Sequence, residues 1–60
     1  MKTISKELAK KISDTEIGVY DTKRYRYFDM CDHYCRVSRE IIGTTGILNH
    51  DNWERLEVRA

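Results

Sequence analysis

Proline is missing from this 60-residue chain, glycine occurs three times and cysteine only twice. Without proline there is no rigid linker, and no internal repeat or low-complexity tract divides the chain; residues 1–60 are expected to form a single domain. No apolar run approaches the roughly 20 residues that span a bilayer. No secretory signal is evident, and two cysteines make no disulfide framework. These absences point to a reducing compartment, the cytoplasm, or the host cytoplasm if a virus carries the gene, with no membrane partner. An excess of either charge is absent too. Eleven Lys and Arg against ten Asp and Glu leave a formal net charge of +1, which is too weak a field to draw the chain onto nucleic acid or an acidic membrane.

What is present is the composition of a folded domain, 40% hydrophobic and 35% charged. A chain this short buries a small fraction of its surface, so its stability is marginal or borrowed from a partner.

The longest periodic stretch is Tyr27 to Ile42, closed by Gly43. At about 100° per residue, Tyr27, Phe28, Met30, Cys31, Tyr34, Cys35, Val37, Ile41 and Ile42 fall on one half of a helical wheel. Asp29, Asp32, His33, Arg36, Arg39 and Glu40 fall on the other. A strand fails here, because period-two alternation puts Val37, Arg39 and Ile41 on one face and Arg36, Ser38, Glu40 and Ile42 on the other, mixing polar with apolar residues on both. The pattern therefore predicts a central helix, with Gly43 free to take the left-handed conformation that ends one. Asp32 with Arg36 and Arg36 with Glu40 then form i, i+4 pairs on its wet face.

Before it, Thr3 is the expected cap of a first helix running to about Ser13, with Ile4, Leu8, Ala9 and Ile12 as its apolar stripe. Glu16 to Tyr20 reads as a short strand in which Gly18 marks a close backbone approach. Residues 23–27 alternate like a strand yet lead into the helix, and are assigned to the connection and first helical turn. Residues 44–48 and 53–58, separated by Asn49-His50-Asp51-Asn52, read as a terminal hairpin, with Leu56 and Val58 on one face and Trp53 on the other. The expected fold is α+β: two amphipathic helices packed on a short antiparallel sheet, in the order α-β-α-β-β with a C-terminal hairpin.

Cys31, Cys35 and His50 are the one grouping that suggests zinc. A tetrahedral site needs about four ligands, and on a helix His33 points away from the two thiols, so a fourth is lacking. The simpler reading makes the cysteines small apolar core residues. No metal or cofactor is expected. Nucleophilic catalysis would need an exposed thiolate beside a pocket, and neither is foreseen, so the chain reads as a non-enzyme.

Helix, strand, helix, hairpin resembles a winged-helix module lacking one helix, in topology only, which makes a DNA-binding regulator the alternative. Against it, Asp29, Asp32 and Glu40 would face the phosphates. A protein partner, or a second copy in a homodimer, fits better, because tyrosine, tryptophan and arginine anchor such contacts. The candidate contact residues are Tyr20, Arg24, Tyr25, Arg26, Trp53 and Arg55. The expected function is that of a small interaction protein that occludes or bridges a protein partner; domains of this size with no catalytic constellation are often small regulators or inhibitors, those made by bacteriophages among them.

Overall fold

Tyr25–Asp29 and Tyr34–Ser38, which lie in and beside the expected central helix, pair as neighbouring antiparallel strands in the computed structural model, which describes residues 2–59. The elements are β1 (Lys2–Ile4), α1 (Lys6–Ser13), β2 (Val19–Asp21), β3 (Tyr25–Asp29), β4 (Tyr34–Ser38) and β5 (Trp53–Val58). They form one five-stranded sheet in the order β1-β5-β4-β3-β2, in which β1 runs parallel to β5 and every other pair is antiparallel. One helix on a mixed sheet thus replaces the expected two helices on a short antiparallel one.

The turn between β3 and β4 explains the correction. The Cys31 N–H donates to the Asp29 carboxylate at 3.0 Å, and the Asp32 N–H donates to the Met30 carbonyl at 3.0 Å, around a Cys31 with φ of 76°. That three-residue closure is a γ-turn pattern. Beyond it, each residue of β3 pairs with one of opposite parity in β4, as in Tyr27 with Arg36 and Phe28 with Cys35. Alternation therefore changes parity at the turn, and no single alternating frame fits the whole stretch.

One face is covered by α1. Ile4, Ala9, Ile12, Tyr27 and Leu56 are buried together there, with Leu8, Tyr20, Tyr25 and Tyr34 packed around them. The Tyr34 hydroxyl and the Ser13 hydroxyl lie 2.7 Å apart and tie β4 to the end of the helix. Beyond the helix the same face carries Arg36, which sits 4.0 Å over the Tyr25 ring and donates to Glu54 at 3.2 Å, while Lys2 reaches Glu54 at 3.8 Å. Arg36 is thus paired across the sheet, not with Asp32 or Glu40. Burial acts against its charge, but the Tyr27 hydroxyl and the Glu54 carboxylate outweigh it, and the guanidinium is held protonated even more firmly than usual.

The opposite face has no helix. Val37 is fully buried there and Cys35 nearly so, and the Phe28 and Trp53 rings lie 5.1 Å apart. The expected terminal hairpin is absent: Thr45–Leu48 is a 3-10 turn, one of three between β4 and β5, and β5 pairs with β4 and β1. The Trp53 indole N–H donates to the Ile47 carbonyl at 2.8 Å and holds that segment against the sheet. Leu56 and Val58 share the helix side while Trp53 faces away, as expected. Gly43 is left-handed, at φ 86°, but after a single 3-10 turn. Gly18, at φ 70°, does lie close to another strand, its carbonyl accepting from the Asp29 N–H at 2.9 Å.

Thr3 is a strand residue opposite Glu57, and Ile4 reaches the core from β1 rather than from the helix. Ser5 is the cap, its hydroxyl accepting from the Leu8 N–H at 3.1 Å. Ser5→Ala is accordingly expected to cost about 1 kcal/mol in urea denaturation and Thr3→Ala no more than about 0.5; the reverse ranking would return the cap to Thr3.

Candidate protein interface

The register of the sheet divides the six candidate contact residues. Tyr20 and Tyr25 lie on the helix side, half-buried against the core. Arg24 is exposed in the turn between β2 and β3, where its carbonyl accepts from the Arg39 N–H at 2.9 Å. Arg26, Trp53 and Arg55 share the helix-free face, where Arg26 and Trp53 flank Val37 and Arg55 lies opposite Cys35. Only these three are brought together.

That face is apolar in the middle. Val19, Phe28, Cys35, Val37 and Trp53 follow one another across β2, β3, β4 and β5. The large apolar side chains that remain exposed include Ile17 at 82%, Leu48 at 79% and Met30 at 46%. The Gly18–Asp29 hydrogen bond brings Ile17 and Met30 to the same end of the sheet, and Leu48 follows the Ile47 that holds Trp53. Ile17, Met30 and Leu48 are absent from the six candidates because the helical wheel placed Met30 in a core and alternation placed Ile17 and Leu48 in strands.

Charge on this face is largely neutralised within the chain. Arg26 grips Asp21 at 2.6 and 3.2 Å, with Arg39 3.9 Å from the same carboxylate. The Arg26 hydrogen bond, reinforced by both guanidiniums' charge, holds the Asp21 carboxyl below its usual range. At the β3–β4 turn the His33 ring, 2.6 Å from Asp32, does the same to that carboxyl. Burial pushes the Cys35 thiol up.

Two clefts flank the sheet. One of about 280 Å³ lies at the turn, lined by Cys31, Asp32, His33 and Arg55 among others. The other, about 510 Å³, lies at the opposite end among Lys23, Arg24, Tyr25, Arg39 and Glu54. Small-molecule sites are lined mostly by apolar groups, and the larger cleft offers only the Tyr25 ring. Cys31 and Cys35 are at the turn end of β4, whereas His50 precedes Trp53, which pairs with the far end of that strand. The three are not brought together, and among the described residues no three His, Cys, Asp or Glu side chains converge as a metal requires. No helix among the described residues is long and apolar enough to cross a membrane.

Comparison with protein-family models, with curated proteins and with solved structures finds no match in any of the three.

Cys31 is exposed and Cys35 buried, so a thiol reagent should label one cysteine rapidly in the native protein and the second only as fast as the chain unfolds. Cys31→Ala should abolish the rapid phase; two equally fast thiols would contradict the assigned faces. The Asp21–Arg26 pair predicts an acid dependence. A carboxyl whose pKa is depressed on folding contributes stability above its unfolded pKa, about 3.9, that is lost as pH falls through the lower folded value. The urea midpoint of the wild type should therefore exceed that of Asp21→Asn near neutrality, and the gap should close as pH drops below about 4. A gap unchanged with pH would assign the effect to something other than the charge.

Proposed function

We propose that this chain is a small, non-catalytic interaction protein that docks on a protein partner through the helix-free face of its sheet and so occludes or bridges that partner. The supporting observation is the exposure of Ile17, Met30 and Leu48 around a face that already carries Phe28 and Trp53. Exposed apolar surface bordered by polar residues is the ordinary signature of a protein-binding site. Arg55 stands exposed beside it and forms no ion pair among the described residues. The partner surface that fits is an apolar patch with a carboxylate beside it, in a regulatory or inhibitory complex of the kind formed by small phage proteins.

The nucleic-acid alternative loses its recognition helix and its hairpin wing, because neither element forms. What favours it is the group Lys23, Arg24 and Arg39 at one end of the sheet, which is a short stretch of charge for holding a phosphate backbone.

Leu48 and Met30 are exposed enough to change without disturbing the core. Leu48→Asp with Met30→Asp should weaken partner binding by about 2 kcal/mol or more, roughly 30-fold, with the circular dichroism spectrum unchanged. Tagged wild type and variant are compared by capture from lysate of the native or host cell, with and without nuclease. A stoichiometric protein that survives nuclease and is lost with the variant is the expected result. Proteins lost only on nuclease treatment, or captured equally by the variant, would overturn the reading.

A further inference from the structure

The sheet has two outer edges, and they are not equivalent. Along β2 the Asp29 N–H donates to Gly18 and the Thr22 N–H donates to Tyr25. In an antiparallel ladder, hydrogen-bonded and non-bonded pairs alternate. Gly18, Tyr20 and Thr22 therefore turn their backbone groups toward β3, while Val19 and Asp21 turn their N–H and C=O groups to the open side, where no strand follows among the described residues. Along β1 the Arg59 N–H donates to the Ile4 carbonyl, which directs Lys2 and Ile4 to β5 and leaves Thr3, alone among the described residues of β1, facing outward. The chain then enters α1, capped by Ser5. One outward residue cannot hold a strand; two, spaced one repeat apart, can begin to.

Natural edges are commonly guarded by charge, proline or bulges. The β2 edge has no proline, and its one charge, Asp21, is held by Arg26 at 2.6 Å. Ile17 stands 82% exposed just ahead of the strand. Lys23 and Arg24 follow it, exposed and without an ion pair among the described residues. The edge is thus apolar at its start and cationic at its end.

We infer that the β2 edge accepts an extended segment of a partner protein as a sixth, antiparallel strand. Main-chain hydrogen bonds go to Val19 and Asp21; apolar side chains of the segment lie beside Ile17 and Val19, and acidic ones beside Lys23 and Arg24. Antiparallel addition continues the local pairing and fixes the polarity of the segment: its acidic residues come first and its apolar residues after. This is strand addition, in which backbone bonds give affinity and flanking side chains give specificity. The inference rests on the reading of the chain as an interaction protein; it uses the backbone edge of β2 and the cations after it, and shares only Ile17 and Val19 with the helix-free face.

The probe is a blocked synthetic peptide of two glutamates followed by alternating valine and threonine, titrated into the isotope-labelled full chain. The Val19 and Asp21 amides are expected to shift saturably and to exchange with solvent about tenfold more slowly when the peptide is bound. The reversed peptide, with its acids last, should bind at least about fivefold more weakly, as should the forward peptide to Lys23→Glu with Arg24→Glu. Val19→Pro removes an N–H that β3 does not use, a change edge strands tolerate, and should abolish the response. Where that variant fails to fold, the exchange rates of the wild type decide. Unchanged exchange at Val19 and Asp21 in the presence of millimolar peptide would overturn the proposal. So would shifts at these amides that depend on protein concentration without peptide, which would make a second copy the occupant. Leu48→Asp with Met30→Asp leaves this edge intact, so failure of the face and failure of the edge are separable.

Discussion

A five-stranded sheet has two faces to shield from water, and this chain supplies a single helix of eight residues to do it. The helix contributes Leu8, Ala9 and Ile12 to the core, and the strands add Ile4, Leu56 and four tyrosines, Tyr20, Tyr25, Tyr27 and Tyr34, on its side. Tyrosine suits this position because the ring covers apolar area while the hydroxyl stays near water or a partner, as that of Tyr34 does with Ser13. Past the reach of the helix the face is closed by Arg36, stacked on Tyr25 and bonded to Glu54. An arginine does this better than a lysine, since its planar group both stacks on a ring and donates in fixed directions. Every buried side-chain polar atom among the described residues has a partner, so closing the face with polar side chains leaves none of their own buried atoms unpaired.

The shortage of covering material on the second face shapes the remainder of the chain. Residues 39–52 form no strand and no long helix, yet Val37 beside them is fully buried. Three short 3-10 turns, each capped by a side chain of Ser38, Thr44 or Asn49, satisfy their own backbone groups locally. The bond from Trp53 to Ile47 then fixes the segment to the sheet. Locally capped turns tied to the sheet at Arg39 and at Ile47 can shield a central valine, but they leave Leu48 outside. The apolar exposure at Ile17, Met30 and Leu48 is thus a consequence of how few residues remain once the sheet is built.

How much of this was legible in the residues depended on the range of each signal. The core stripe of Leu8, Ala9 and Ile12, the strand character around Val19 and the opposite facing of Trp53 and Leu56 are local patterns, and all were readable. The central helix was misread because Tyr27 to Ile42 satisfies a helical wheel by coincidence of two strands joined by a turn that shifts parity. Cys31 takes the left-handed conformation there, a role usually filled by glycine or asparagine, so the turn carries no signal of its own beyond Asp29. With the helix went the expected pairs of Arg36, whose true partner, Glu54, is 18 positions away. The candidate surface fared similarly: Arg26, Trp53 and Arg55 come together only through a register that brings β3, β4 and β5 side by side, and the exposed Met30 was hidden by its place on the wheel.

The register leaves the β2 edge unpaired among the described residues. β1 and β5 pair at the side of the sheet away from β2. Glycine at 18, with φ of 70°, keeps β2 short, and a short edge is one of the ways proteins avoid indiscriminate pairing. A short edge is not a closed one. With Asp21 engaged by Arg26, its charge no longer repels an incoming backbone as a free carboxylate would, and the exposed Lys23 and Arg24 favour a segment that brings acids of its own. In the complex inferred above, selectivity would come from the flanking side chains, because two outward residues offer few main-chain bonds.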